Sequence, residues 1–436
     1  MCRLTVMTTS SDSKQKVIII SLEEDVSEII QLAKSLEYHV VDIFLQQRNH
    51  PDVASYIGFG KLEEIKNYIL ESPEVISIAI VDGELKPSQW FLLEKKFSIT
   101  VYDRIRLILD IFKDRADRKE ARLQVRLAEL EYEKPFVREL IHRTRSGEHP
   151  GLMAGGEYQV DDYYEMIKKQ MKLIRHRLEK IRTNRSVTRQ HRHTSGFYLV
   201  SLVGYTNAGK SSLLQSLTNE IVYVDNRLFS TLSPLTRRFS VQNIPILLTD
   251  TVGFIQRLPS WIIDAFHSTL EEIQEADVVL LIVDGSDSIE AIDLKIQTSF
   301  DELASLQVTS PIILVLNKID LMDKDSETIL IEQVSSFPRL SEIPIVPISV
   351  KKQMNYTDLI NNIYKNLPKL SDLVIQLPNT TEAQSFLSFL YDKTKVKDVV
   401  YSNQLQISLL CNPTIRIRIL TMCKKLDGVI LKDSAL

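Results

Sequence analysis

Cysteine is nearly missing from this chain, with three in 436 residues at Cys2, Cys411 and Cys423. Their spacing forms neither a metal site nor a redox motif. The scarcity fits a reducing compartment, with Cys411 and Cys423 expected as buried apolar residues. Long apolar runs are missing too, since none reaches the ~18 residues of a membrane span. The first residues also lack a signal-peptide core, so no membrane span and a cytoplasmic location are expected. Excess positive charge is absent: 53 Lys and Arg face 57 Asp and Glu, for a net charge of −4. That balance argues against a globally cationic nucleic-acid binder and leaves local patches open. What remains is ordinary for a globular chain, with 44% hydrophobic and 25% charged residues. The length calls for about two to four domains.

The most informative stretch is Gly204-Tyr205-Thr206-Asn207-Ala208-Gly209-Lys210-Ser211, which fits G-x-x-x-x-G-K-[ST]. The apolar run Phe197 to Val203 precedes it as a buried strand, and a helix start at Ser211 to Leu217 follows, with Ser212 inside it. Glycines let successive N–H groups and a helix N-terminus point at a polyphosphate. Lys210 would reach the outer phosphates and Ser211 would hold Mg²⁺.

Four further patterns specify the base and the switches. Asn317-Lys318-Ile319-Asp320 follows the strand Pro311 to Leu316. A carboxylate there accepts from guanine N1–H and its exocyclic amine, a donor pair that adenine lacks. Asp250-Thr251-Val252-Gly253 fits D-x-x-G after the strand Ile246 to Thr249. Asp250 would contact Mg²⁺ and the Gly253 N–H the γ-phosphate. Within Phe229-Ser230-Thr231-Leu232-Ser233, Thr231 is the best switch threonine for closing on Mg²⁺, with Thr236 second. Ser349-Val350-Lys351, after Pro344 to Ile348, would bring backbone near the guanine oxygen. Five patterns in this order specify a Mg²⁺-dependent GTPase domain binding GTP and GDP. Its catalytic residues are expected to be Lys210, Thr231 and Gly253. Many GTPases carry a glutamine directly after the D-x-x-G glycine to orient the attacking water. Here that position is Phe254, so slow intrinsic turnover and an external stimulus are expected; the alternative is that Phe254 packs on the sheet while another residue does the work.

Five segments are expected. Residues 1–15, Ser/Thr-rich at their start, read as a disordered N-terminus. Residues 16–102 read as a small α/β domain with strands Val17–Ile20, Val40–Leu45 and Ile76–Val81, its Gly58-Phe59-Gly60-Lys61 a tight turn feeding the helix Leu62 to Leu70. Residues 103–195 read as a long antiparallel helical hairpin. Its first helix carries Leu109, Phe112, Ala116, Leu123, Leu127 and Leu130 on one face; its second has a seam at Ile167, Met171, Ile174, Leu178 and Ile181. Between them, Pro135 to Gln159 reads as a long, flexible, basic loop. The GTPase domain, an α/β P-loop fold with a mostly parallel sheet and helices on both faces, spans 196–368. A small α+β domain, with strands Leu373–Leu377, Lys397–Tyr401 and Leu405–Leu410 and the helix Glu382 to Tyr391, spans 369–436. The second hairpin helix carries ten cations, from Lys168 to Arg192, against the four anions Asp161, Asp162, Glu165 and Glu179. In an acidic chain that excess points to RNA phosphates.

These pieces resemble the HflX family of the Obg–HflX GTPases. The phosphate loop 204–211, the stretch 229–238, Asp250 to Ile255, Gly58 to Lys61 and the helix motif from Asp103 to Val125 carry the likeness. The family's Gly-Pro-Gly-Glu reads Ala154-Gly155-Gly156-Glu157 here, and Ser233, Ser212 and Val350 also depart from its pattern. The resemblance implies a cytoplasmic GTPase that binds the large ribosomal subunit, is stimulated by it, and splits or rescues stalled ribosomes. A monomer is expected. The competing reading is a GTP-sensing scaffold with negligible turnover that docks protein partners through the hairpin.

Overall fold

The computed structural model describes residues 15–145, 156–193, 197–218, 234–241, 244–251, 253–254, 259, 261–262, 272–402 and 404–435. The chain divides into two compact units, Met1–Arg175 and His176–Leu436. The N-terminal residues 1–14 and the tip between the hairpin helices lie outside the described residues, as does the stretch Phe229 to Ser233.

The first unit opens with four short strands, β1 (Lys16–Ser21), β2 (His39–Leu45), β3 (Ile78–Val81) and β4 (Thr100–Asp103). They form an all-parallel sheet in the order β2-β1-β3-β4. Parallel strands need crossovers, supplied by α1 (Ser27–Ser35), α2 (Phe59–Glu71) and α3 (Pro87–Phe97). Gly58 is the residue capping α2, and its N–H donates to Gln46 Oε1 at 2.7 Å. The Gly58 to Lys61 stretch is thus a turn feeding a helix.

The expected first long helix is two helices, α4 (Arg104–Arg115) and α5 (Lys119–Arg145). Asp103 caps α4 by accepting from the Arg106 N–H at 2.8 Å, and α4 buries Leu107, Ile108, Leu109, Ile111 and Phe112. The chain turns at Ala116, whose carbonyl accepts from Arg122 Nε at 2.8 Å. The expected loop beginning at Pro135 is a second correction, because α5 continues through that proline to Arg145. Phe136 packs edge-on against Trp90 at 5.5 Å and Val137 is buried. Such packing offsets the one helical hydrogen bond a proline removes. The helix α6 (Gly156–His193) follows. Of its seam, Ile167, Met171 and Ile174 are buried, whereas Leu178 and Ile181 are only half-buried. Glu133 accepts from the Tyr163 hydroxyl at 3.2 Å, and Arg175 pairs with Glu131 at 2.6 Å.

The second unit carries a six-stranded sheet ordered β10-β9-β8-β5-β7-β6. Its strands are β5 (Tyr198–Gly204), β6 (Leu235–Val241), β7 (Ile244–Asp250), β8 (Val278–Asp284), β9 (Ile312–Asn317) and β10 (Ile345–Pro347). Only β6 runs antiparallel, against β7. β8 shows why the sheet lies inside: Val278, Leu280 and Ile282 enter one apolar cluster, and Val279, Leu281 and Val283 enter the other. Alternate residues point to opposite faces, so both faces are covered, as parallel sheets require. The covering helices include α7 (Lys210–Thr218), α8 (Ile289–Ser305), α9 (Lys324–Ser335) and α10 (Tyr356–Asn366).

Beyond them lies a second, antiparallel sheet in the order β12-β13-β11-β14. It is built from β11 (Ser371–Pro378), α11 (Thr381–Lys393), β12 (Lys395–Tyr401), β13 (Gln404–Cys411), α12 (Pro413–Lys425) and β14 (Val429–Ala435). This β-α-β-β-α-β sequence is the split βαβ arrangement. α11 and the first three strands match the expected elements, and the structure adds α12 and β14. Cys411 and Cys423 are buried in its core, as expected.

Candidate nucleotide site

The site lies at the carboxyl ends of β5, β7 and β9. The turn from β5 into α7 holds Gly209 at φ +101°, and a Cβ there would meet Asn317 Nδ2 at 2.2 Å. Only glycine allows both that backbone and that approach. Asn317 Nδ2 donates to the Ala208 carbonyl at 2.8 Å, and its Oδ1 accepts from the Val350 N–H at 3.1 Å. One side chain therefore ties the phosphate loop, the end of β9 and the segment after β10.

Lys210 starts α7 and is buried. Its ammonium donates to the Gly204 and Tyr205 carbonyls at 3.0 and 2.7 Å. Burial pushes its pKa down to about 8, against the opposing pull of the nearby Asp250 carboxylate. Ser211 Oγ donates to Asp250 Oδ2 at 2.6 Å, both side chains being buried. Beside Asp250, the Thr251 hydroxyl donates to the Leu202 carbonyl at 2.7 Å and so pins the strand ends together. Gly253 lies against the loop, where a Cβ would stand 2.8 Å from Lys210 Nζ and 2.8 Å from Thr206 Cγ2.

Phe254 is fastened in place by main-chain bonds. Its N–H donates to the Gly204 carbonyl at 3.0 Å, and its carbonyl accepts from the Thr206 N–H at 3.1 Å. The ring is buried and meets Tyr205 edge-on at 6.4 Å. It is a packing residue with no polar atom to offer water.

At the far end, Lys318 adopts a left-handed backbone, φ +68°, which turns the chain into the short 3-10 helix Ile319–Leu321. Asp320 Oδ1 accepts from Ser349 Oγ at 2.6 Å, and Ser349 Oγ accepts from the Lys352 N–H at 3.0 Å. Ser349 thus buttresses Asp320 with its side chain, a role the sequence did not announce. Asp284 was also missed. It ends β8 opposite Asn317 and forms an ion pair with Lys318. The available signal was a carboxylate closing an apolar strand beside the strand that leads to Lys318.

Among the expected site residues, Lys210, Ser211, Asp250 and Gly253 converge, as do Asn317, Asp320 and Ser349. Ser212 is half-buried in α7 next to Ser211, and Lys351 is exposed. Phe229, Ser230, Thr231, Leu232, Ser233 and Val252 lie outside the described residues. Thr236, the second-choice switch residue, sits in β6 with its hydroxyl 3.0 Å from that of Thr249. Thr249 precedes Asp250 in the strand, so the pair lies on the face away from the Asp250 carboxylate.

A phosphate loop between strand and helix, an acid at the neighbouring strand end and an N-K-x-D turn, set on this sheet, define a P-loop GTPase. Residues 23–113 match a family model described as GTP-binding GTPase N-terminal, residues 115–192 one described as GTP-binding GTPase Middle Region, and residues 199–318 one described as 50S ribosome-binding GTPase. The chain is 40% identical over 389 residues to GTPase HflX of Thermococcus kodakarensis, covering 87% of each chain. It is 40% identical over 382 residues to GTPase HflX of Methanocaldococcus jannaschii, covering 87% of this chain and 91% of that one. A solved GTP-binding protein from Sulfolobus solfataricus in complex with GDP is 30% identical, with a TM-score of 0.45 over 80% of this chain and 98% of that one. The chain belongs to the HflX family of GTPases; it binds guanine nucleotide and hydrolyses GTP. No helix among the described residues is long and apolar enough to cross a membrane.

Proposed function

We propose that this GTPase acts on the large ribosomal subunit in the cytoplasm as a monomer, is stimulated there to hydrolyse GTP, and separates or rescues stalled ribosomes. The observation that carries the reading is the cationic face of α6. Lys168, Lys169, Lys172, Arg175, Arg177, Lys180 and Arg182 are all exposed. Arg175 and Lys168 have carboxylate partners, whereas Lys169, Lys172, Arg177 and Lys180 form no ion pair among the described residues. Exposed cations without local partners suit a phosphate backbone. The family description of residues 199–318, which names 50S binding, supports the same partner.

In this reading the nucleotide lies along the loop from Gly204 to Ser212. Lys210 exchanges its two carbonyl partners for phosphate oxygens, and the Gly253 N–H meets the γ-phosphate. Asp320 reads guanine, held in aim by Ser349. Ser211 and Asp250 offer hard oxygen donors 2.6 Å apart. Among the described residues no group of three His, Cys, Asp or Glu side chains forms a metal cage. That donor set fits Mg²⁺, which binds through few protein oxygens together with phosphates and water; Thr231 is the third expected ligand. When bound, Mg²⁺ would neutralise charge on the phosphates. Since Phe254 is packed away, the group that orients the attacking water comes from elsewhere, and the ribosome is the proposed source of its ordering.

Co-sedimentation with purified large subunits tests the partner. Reversing Lys169, Lys172 and Lys180 to Glu is expected to abolish co-sedimentation at moderate salt while leaving GTP binding intact. Unchanged co-sedimentation would refute the role given to α6.

A further inference from the structure

The outermost strand of the GTPase sheet is gripped by the C-terminal domain. Among the described residues β6 has one sheet neighbour, β7. Their register sets Leu235 opposite Asp250 and Thr236 opposite Thr249, so a shift of β6 is felt where the site carboxylate stands. Midway along β6, Arg238 Nη1 donates to Asp392 Oδ1 at 2.8 Å, and Nη2 donates to the Asp392 carbonyl at 3.0 Å. Asp392 belongs to the last turn of α11, beside Lys393, with which it also pairs at 2.8 Å. The two cations flank one ring: Arg238 Cζ lies 5.3 Å and Lys393 Nζ 4.4 Å from the centroid of Phe197. Phe197 immediately precedes β5, the strand that runs into the phosphate loop.

Three elements therefore meet at this point: the entry to β5, the edge strand β6 and the end of α11. Arg suits such a junction, because its planar group donates twice and stacks at once. An edge strand has one ladder rather than two, and the Arg238–Asp392 contact adds a modest side-chain tether to it.

We propose that Arg238 is a positioning residue for the γ-phosphate end of the nucleotide site: anchored by Asp392 and Phe197, it tethers β6 and, through the β6–β7 ladder, the placement of Asp250. The C-terminal domain thereby sets how well the site prefers GTP over GDP. This rests on the assignment of Asp250 and Ser211 to the Mg²⁺–nucleotide site. The guanine-reading groups stand at the end of β9, on the other side of β5, so the tether acts on the end that meets the γ-phosphate. Coupling is reciprocal, so a ligand of the C-terminal domain that parts Asp392 from Arg238 weakens GTP binding, and GTP disfavours that ligand.

The test uses the full chain with Arg238→Ala, Asp392→Ala and the double variant. Affinities for GDP and for a non-hydrolysable GTP analogue are measured, with melting curves as a check on folding. An exposed ion pair has modest strength, so each single variant is expected to weaken analogue binding about threefold and leave GDP within about twofold. The double variant is expected to lose no more than the worse single one. Equal losses for both nucleotides, no loss for either, or additive losses in the double variant would overturn the proposal. An Asp250→Ala chain that still binds the analogue normally in Mg²⁺ would instead refute the site assignment beneath it.

Discussion

Lys210 offers a quantitative test of the nucleotide site, because its proton equilibrium must change when phosphate arrives. In the free protein, burial lowers its pKa from 10.5 to about 8. The folded value is below the unfolded one, so between about pH 8 and 10.5 the unfolded chain holds a proton that the folded chain has released. Stability of the nucleotide-free protein therefore rises with pH through that window. The gain is at most about 3 kcal/mol, taking 1.36 kcal/mol per unit. A polyphosphate reverses the effect, since an anion beside the ammonium restores its charge. More of the free protein has a neutral Lys210 at pH 8.5 than at pH 7, so binding takes up more proton at the higher pH. The dissociation constant for GDP should accordingly rise between pH 7 and 8.5. Calorimetric titration in two buffers of different ionisation heat reads the proton count directly. Uptake no greater at pH 8.5 than at pH 7, with an affinity flat across that interval, would refute a Lys210 that is partly neutral when free and charged beside phosphate.

Other expectations follow from close contacts. Gly253→Ala brings a methyl to 2.8 Å from both Lys210 Nζ and Thr206 Cγ2, and steady-state assays should show turnover reduced at least about tenfold. Wild-type turnover would show that this approach is relaxed in the working enzyme. Asn317→Ala removes both bonds from the strut between the phosphate loop and Val350. Equilibrium binding should find GTP and GDP weakened together, by about tenfold or more for bonds of ~1 kcal/mol each; a loss confined to GTP would contradict a shared role. Phe254→Gln should not restore intrinsic hydrolysis, because the side chain points into the core. It should lower stability by about 1–3 kcal/mol by burying an amide without a matched partner, measured by denaturant unfolding. Faster basal turnover in that variant would show that the position reaches the attacking water.

The convergence of the candidate site residues was legible because nucleotide chemistry constrains local sequence. A loop that wraps phosphates needs Gly209, a buried strand needs the run before it, and N-K-x-D needs a strand end. Asp284 and the Ser349 side chain escaped notice because their roles depend on neighbours in space. The first unit was harder. Pro135 reads as a helix stop by backbone chemistry, yet Phe136 and Val137 are packed well enough to carry α5 onward. The apolar period running from Leu109 through Ala116 to Leu130 hides a turn at Ala116, since α4 is buried on several faces and its pattern continues smoothly into α5. β4 has only four residues, too few for alternation to show. In the C-terminal domain, α12 mixes Arg416 and Arg418 with Ile415, Ile417 and Ile419. Its register against the sheet separates buried Ile415 and Ile419 from exposed Ile417.

The proposed source of the stimulus that a GTPase with a packed Phe254 needs is the large ribosomal subunit. GTP turnover measured with and without purified large subunits, at fixed nucleotide and Mg²⁺, tests it most directly. Slow hydrolysis alone and a rise of at least about tenfold with subunits are expected, the rise being lost when the α6 cations are reversed. Equal rates with and without subunits would contradict it.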